Sequence, residues 1–255
     1  MCGRYANFLP TPELQLWFDL NEVSERARNY APNYNVAPTT SVPVIIEHGP
    51  RRADDGGAKG AEPSNAGSRA AYAADRPAVI RELLLARWGL VPPWASSPDG
   101  GPLMINARVE TAAEKPSFAP SLARRRCIFP MNGYFEWKKT AAGKQPFYIT
   151  DPRGPLGMAG LYAWWKDPAS QWLLSATIMT RAAEGAMRAI HHREPVVLDP
   201  EEYGAWLDPS QQDAQRALAL ISRPAPRLEA VSVTTRVGNV ANNSPANVRP
   251  LQMDQ

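Results

Sequence analysis

The chain is poor in the residues that anchor most metal and redox chemistry, with two cysteines and three histidines in 255 residues. No cysteine cluster has metal-ligand spacing. Neither a Walker loop nor a glycine-rich dinucleotide fingerprint is present, so no metal and no organic cofactor is expected. No apolar run approaches the ~18 residues that span a bilayer, which leaves membrane association unexpected. The N-terminus lacks the basic start, apolar middle and small-residue cleavage site of a signal peptide, and the expectation is a cytoplasmic protein with free thiols. Net charge is only +3. That is too little to declare a nucleic-acid binder, although Arg124-Arg125-Arg126 concentrates some of it.

What remains is the composition of an ordinary globular protein, 44% apolar and 21% charged. The length suits a single domain, here taken as residues 1–255. Residues 48–77, "HGPRRADDGGAKGAEPSNAGSRAAYAADRP", are rich in Gly, Ala, Pro and Ser and hold no sustained period, so a disordered insertion is expected. The apolar runs on either side, "SVPVII" and "AVIRELLLARWGL", are candidates for neighbouring strands. The short runs "RCIFP", "GYFEW", "QPFYIT", "LGMAGLYAWW", "WLLSATIMT", "EPVVL" and "EAVSV" are bounded by Gly, Pro or Asn and read as strands. Thr11-Pro12-Glu13 reads as the cap and first turn of a helix with Leu14, Trp17 and Phe18 on one face. Asp199-Pro200-Glu201-Glu202 carries a capping box, and Thr180 is expected to cap a helix running to about Ile190, with Met187 and Ile190 sharing a face. The fold class expected is α+β, with mainly antiparallel, barrel-like curved sheets flanked by a few helices.

Cys2 is one bond away from becoming the N-terminus. If Met1 is removed, residue 2 presents an α-amine with a pKa of about 8, partly neutral at cellular pH, beside a thiol near about 8.5. The pair supports two reaction classes. A thiolate with the amine as its base attacks amides, as in N-terminal nucleophile hydrolases. Alternatively the amine forms an imine with an aldehyde, and the thiol closes a five-membered thiazolidine ring. Position alone is equally consistent with an incidental, packed cysteine. In "NGYFEW", strand geometry puts Glu136 and Tyr134 on one face and Phe135 and Trp137 on the other; periodicity by itself favours a solvated Glu136. His191 and His192 stand beside Arg193, and His48 falls in the expected insertion. Trp88 and Trp94 flank prolines, as core and corner residues or as surfaces that stack on bases. On an extended segment Arg108 shares a face with Asn106, and together they suit a polar anionic ligand.

Taken together and in order, "MCGRY", "YNVAP", "WGLVPPW", "INARVET", "RRCIFPMNGYFEW", "IHHREPVVL" and "VGNVANN" resemble the SRAP family, the SOS-response-associated peptidases known as shields of abasic sites in single-stranded DNA. The resemblance implies a monomer that binds single-stranded DNA containing abasic sites, at damaged DNA in the cytoplasm. It implies covalent capture through Cys2 by Schiff-base chemistry, with possible reversal and removal of a peptide preceding the cysteine. Asn106 would position the terminus or the sugar, Glu136 would pass protons, and His191 would assist sugar opening. Arg4, Arg108 and Arg193 would hold phosphates, and Trp94 and Pro38 would lie where bases splay. Two positions depart from the family's pattern. Glu194 stands where Met or Arg is frequent, adding negative charge beside a proposed phosphate contact, and Ala119 stands where many members carry Arg, which leaves Lys115 or the Arg124 cluster to supply that contact. The runner-up is an N-terminal cysteine amidohydrolase of the glutamine amidotransferase kind.

Overall fold

The computed structural model describes residues 2–49, 79–224 and 226–251. All of the expected insertion except His48 and Gly49 lies outside the described residues. Strands β1 (Tyr5–Asn7), β2 (Glu22–Val23), β3 (Asn33–Val36), β4 (Ser41–His48), β5 (Ile80–Trp88), β6 (Asn106–Arg108), β7 (Arg126–Met131), β8 (Gly133–Thr140), β9 (Gly143–Thr150), β10 (Leu156–Lys166), β11 (Trp172–Ala182), β12 (Arg193–Pro195), β13 (Val197–Leu198) and β14 (Glu229–Ser232) form two sheets. Helices α1 (Thr11–Phe18), α2 (Glu25–Arg28), α3 (Val109–Ala112), α4 (Ala119–Arg124), α5 (Tyr203–Leu207) and α6 (Ala214–Leu220) are short. Among the described residues, no helix is long and apolar enough to cross a membrane.

The larger sheet closes on itself. Antiparallel pairs join β11 to β10, β10 to β7, β7 to β4 and β4 to β5, and a parallel pairing of β5 with β11 completes the ring. Closure removes the open edges that a long hydrophobic sheet would otherwise expose. Alternation along these strands sorts the side chains. Val42, Val44 and Ile46 of β4 join Cys127 and Phe129 of β7 and Ala176 and Ile178 of β11 in one cluster, which fills the barrel. Ile45, Leu83, Ile128, Leu161 and Met179 point outward and are covered by Phe18 of α1, Leu122 of α4 and Trp206 of α5. Gly160 is required inside, because a Cβ there would sit 2.6 Å from the Phe129 ring.

The smaller sheet has the order β14-β9-β8-β1-β3. Its inner face, with Tyr5, Val36, Tyr134 and Ile149, continues the barrel's interior cluster, while Phe135 and Tyr148 pack on its other face against Val233 and Val237. The N-terminal strand is thus an interior strand of this sheet, flanked by β8 and β3.

The α+β, mainly antiparallel and barrel-like expectation holds, and each strand-like run is a strand. The flanks of the insertion pair along their full length, from Ser41↔Arg87 to His48↔Ile80, so His48 belongs to β4 rather than to the insertion. Its Nε2 lies 3.1 Å from Glu82 Oε2. Three other expectations are corrected. Pro10, not Thr11, caps α1, and Trp17 is 48% exposed while Leu14 and Phe18 are buried. Thr180 caps no helix: β11, buried on both faces from Leu174 to Thr180, runs on to Ala182, and only a 3-10 turn, Gly185–Ala189, follows. Of the arginine run only Arg124 is exposed. Arg126 is buried, with its guanidinium donating to the carbonyls of Leu122, Ala123, Trp206, Asp208 and Gln211. Leu122, Ala123, Trp206 and Asp208 lie at the C-terminal ends of α4 and α5, where carbonyls lack helical partners, and Gln211 lies in the loop beyond α5.

Candidate functional site

β1 is held on one side by β8, through Tyr5↔Tyr134 and Ala6↔Gly133, and on the other by β3, through Tyr5↔Val36. This pairing carries Cys2 inward, where it is 0% exposed. Asn106, at the start of β6, donates its side-chain amide to the Cys2 carbonyl at 2.9 Å. Glu136 is 4% exposed and faces the same space, so the solvated reading of that residue is overturned. Burial first, and then the Glu136 charge, push the Cys2 thiol far above its ordinary range; the Arg4 backbone amide partly opposes this by bonding the sulfur. The thiol is therefore neutral at physiological pH. His191 Nδ1 lies 3.9 Å from Glu136 Oε1 and 3.0 Å from the Arg193 amide nitrogen. The same Nδ1 lies 3.1 Å from the Arg193 carbonyl, so this backbone offers both a donor and an acceptor to the ring. His192, exposed, stacks on His191 with ring centroids 4.3 Å apart, and the charge of His191 is the main influence lowering its pKa. Cys2, Asn106, Glu136 and His191 thus converge from four separate segments.

The cationic residues divide into two groups. Arg108 is exposed on β6, two residues along from Asn106. Arg193 is 9% exposed and bound by a carboxylate: Nη1 and Nη2 meet Glu110 at 2.6 and 3.0 Å, and Nη2 also donates to the Thr180 carbonyl at 2.7 Å. The Arg193 hydrogen bond in turn lowers the Glu110 pKa. Arg4 is bound as well, to Asn35 and to the carbonyls of Val237 and Gly238 at 3.0 and 2.9 Å. Trp94 is 60% exposed, in contrast to Trp88, which is wholly buried. Pro38 is half-buried in a turn whose Thr39 amide donates to the Trp88 carbonyl at 2.8 Å, and Trp165 fixes the carbonyl of Ala95 at 2.7 Å. The Pro38 turn is therefore tethered to the end of β5, and the segment carrying Trp94 to β10.

The family model described as SOS response associated peptidase (SRAP) matches residues 1–240. The chain belongs to the SRAP family. Over 248 residues it is 34% identical to the abasic site processing protein YoqW of Bacillus subtilis, covering 96% of this chain and 97% of the relative. Over 286 residues it is 30% identical to the abasic site processing protein HMCES of Gallus gallus, covering 99% of this chain and 79% of the relative. A solved structure of a protein from Bacteroides thetaiotaomicron superposes with a TM-score of 0.75 at 24% identity, covering 97% of this chain and all of that one; it bears on the fold alone.

Against the SRAP pattern, Glu194 does not face solvent. It is 2% exposed and its carboxylate takes the Arg181 Nε hydrogen bond at 3.0 Å, so its charge is matched inside the protein. Lys115 and Arg124 are both exposed near Ala119, at the two ends of the turn and helix that residue joins. Two residues of consequence carried no assignment from the sequence. Glu110 lies in "INARVET" and Asn35 in "YNVAP"; both motifs were visible, but only the fold reveals what their polar groups touch.

Proposed function

We propose that this SRAP protein processes abasic sites in single-stranded DNA by capturing them covalently through Cys2 once Met1 has been removed. The relatives' names support the lesion as target. What carries the chemistry is the convergence on Cys2 of an anchoring amide, Asn106, and of a proton-carrying pair, the buried Glu136 and the half-buried His191. The Cys2 amine adds to C1′ of the ring-opened sugar to give a carbinolamine, whose hydroxyl leaves with a proton as water. The resulting imine accepts the sulfur at the same carbon while the thiol proton passes to nitrogen, and the net change is loss of one water. Glu136 carries these protons, and His191 protonates the ring oxygen that becomes the 4′-hydroxyl on opening. Reversal runs the same steps backwards.

A neutral, buried thiol suits this order, with the amine attacking first. Arg108 holds backbone phosphate, Arg193 does so by exchanging Glu110 for phosphate, and Trp94 with Pro38 supports the splayed bases. The test is incubation with a single-stranded oligonucleotide bearing one abasic site. A heat-stable adduct on a denaturing gel is expected, and its absence would sink the proposal. Cys2→Ser is expected to give an imine that borohydride traps but no stable product; equal stability for both proteins would mean that the sulfur is not used.

A further inference from the structure

The late run "VGNVANN" has no part in the chemistry above, yet its backbone surrounds the side chain two residues from the nucleophile. Val237 and Gly238 carbonyls accept from the Arg4 guanidinium at 3.0 and 2.9 Å. Asn35, 3% exposed, accepts from Arg4 through its side-chain oxygen. Its amide nitrogen lies 3.2, 2.9 and 3.0 Å from the carbonyls of Val237, Asn239 and Asn242. The cradle is made of neutral amides throughout, so it does not titrate. Meanwhile the Arg4 carbonyl accepts from the Phe135 amide at 2.9 Å, and the Arg4 amide bonds the Cys2 sulfur.

Arg4 therefore joins three things. Its backbone touches the nucleophile and β8, and its planar fork is seated in a pocket of fixed acceptors. A guanidinium seated this way resists rotation of the strand segment that bears it, whereas an ammonium on a flexible stem would not. We propose that Arg4 is a positioning residue, seated by Asn35 and the 237–242 carbonyls, that fixes the direction in which Cys2 presents its amine and thiol. This replaces its sequence-based role as a phosphate ligand, and it rests on Cys2 being the reacting residue. Near-attack geometry is steep in distance, and a displacement of about 1 Å costs up to about 100-fold in rate.

The experiment is single-turnover crosslinking to an abasic oligonucleotide over a range of DNA and salt concentrations, with rates normalised to folded protein by thermal unfolding. Arg4→Lys keeps the charge and loses the fork. Its maximal rate is expected to fall about 10- to 100-fold, with half-saturating DNA and salt dependence unchanged. Asn35→Ala is expected to do the same although it removes no charge; should that variant fail to fold, Arg4→Lys decides alone. Arg4→Lys at the parental rate, with Arg4→Ala losing affinity and about 0.7 of the logarithmic salt slope, would make Arg4 a phosphate ligand and overturn the proposal. Parental rates in every variant would overturn it too. No adduct in the parent would instead remove the underlying chemistry, an outcome distinguishable because it needs no variant.

Discussion

Replacing Glu136 by Gln keeps shape and removes charge at the centre of the site, and it has two effects of opposite sign. Glu136 is 4% exposed, so little bulk water touches its carboxylate. A positioned general acid/base contributes about 10²- to 10⁴-fold. His191, 3.9 Å from the carboxylate, retains some proton exchange, which favours the lower end of that range. The expected loss is therefore about 100-fold in single-turnover crosslinking, or about 2.7 kcal/mol of barrier. The same substitution removes the second-largest influence holding up the Cys2 thiol, behind burial. Cys2 should consequently alkylate faster at a given alkaline pH, although burial keeps its pKa above the ordinary value. Quenched-flow crosslinking resolved on denaturing gels reads the first effect, and pH-dependent alkylation followed by the mass of the N-terminal peptide reads the second. Crosslinking at the parental rate would refute the proton-carrying role. Unaltered alkylation would refute the electrostatic coupling.

Other consequences follow from the same contacts. Arg126→Ala strips the donor from the carbonyls of Leu122, Ala123, Trp206, Asp208 and Gln211, and is expected to cost about 3 kcal/mol in urea unfolding while leaving crosslinking per folded molecule unchanged. Lost DNA binding with intact stability would restore that residue to the basic patch. Burial raises the Cys127 thiol pKa, so its stabilising contribution is full below the unfolded thiol value of about 8.5 and is lost as pH rises, by up to about 1.4 kcal/mol per pH unit. Cys127→Ala should flatten the alkaline limb of stability against pH by one proton; an unaltered limb would contradict this. Glu110→Gln frees Arg193, so binding to single-stranded DNA should tighten several-fold and the logarithmic salt slope should steepen by about 0.7, as measured by fluorescence anisotropy. Weaker binding would mean that Glu110 aligns Arg193 rather than competing for it.

Much of the fold was legible because its strands are short, apolar and punctuated, and because β4 and β5 are apolar on both sides of the insertion and pair directly. Barrel closure was not legible, since the parallel contact of β5 with β11 joins Arg87 to Ser175 across a long stretch of sequence. The helix expected after Thr180 failed because β-branched and apolar residues there extend a strand whose both faces are buried, a tertiary demand that a local cap signal does not register. At the site, Cys2, Asn106, Glu136 and His191 were singled out from motif order, and the fold gathers them. Charge was read less well. An arginine in sequence looks available for phosphate, but Arg126 caps helices, Arg193 is clamped by Glu110, and Arg4 is seated among backbone carbonyls. Which charges are already matched depends on partners that lie far away in the chain.

The central claim is that the two heteroatoms of a Cys2 terminus close on one carbon of the lesion. Its most direct test is the mass of the protease-released N-terminal peptide from the adduct formed with abasic single-stranded DNA. The account predicts a peptide that begins at Cys2, carries the DNA remnant less one water, and resists borohydride and heat. A peptide still beginning at Met1, or an adduct mapped to any other residue, would contradict it.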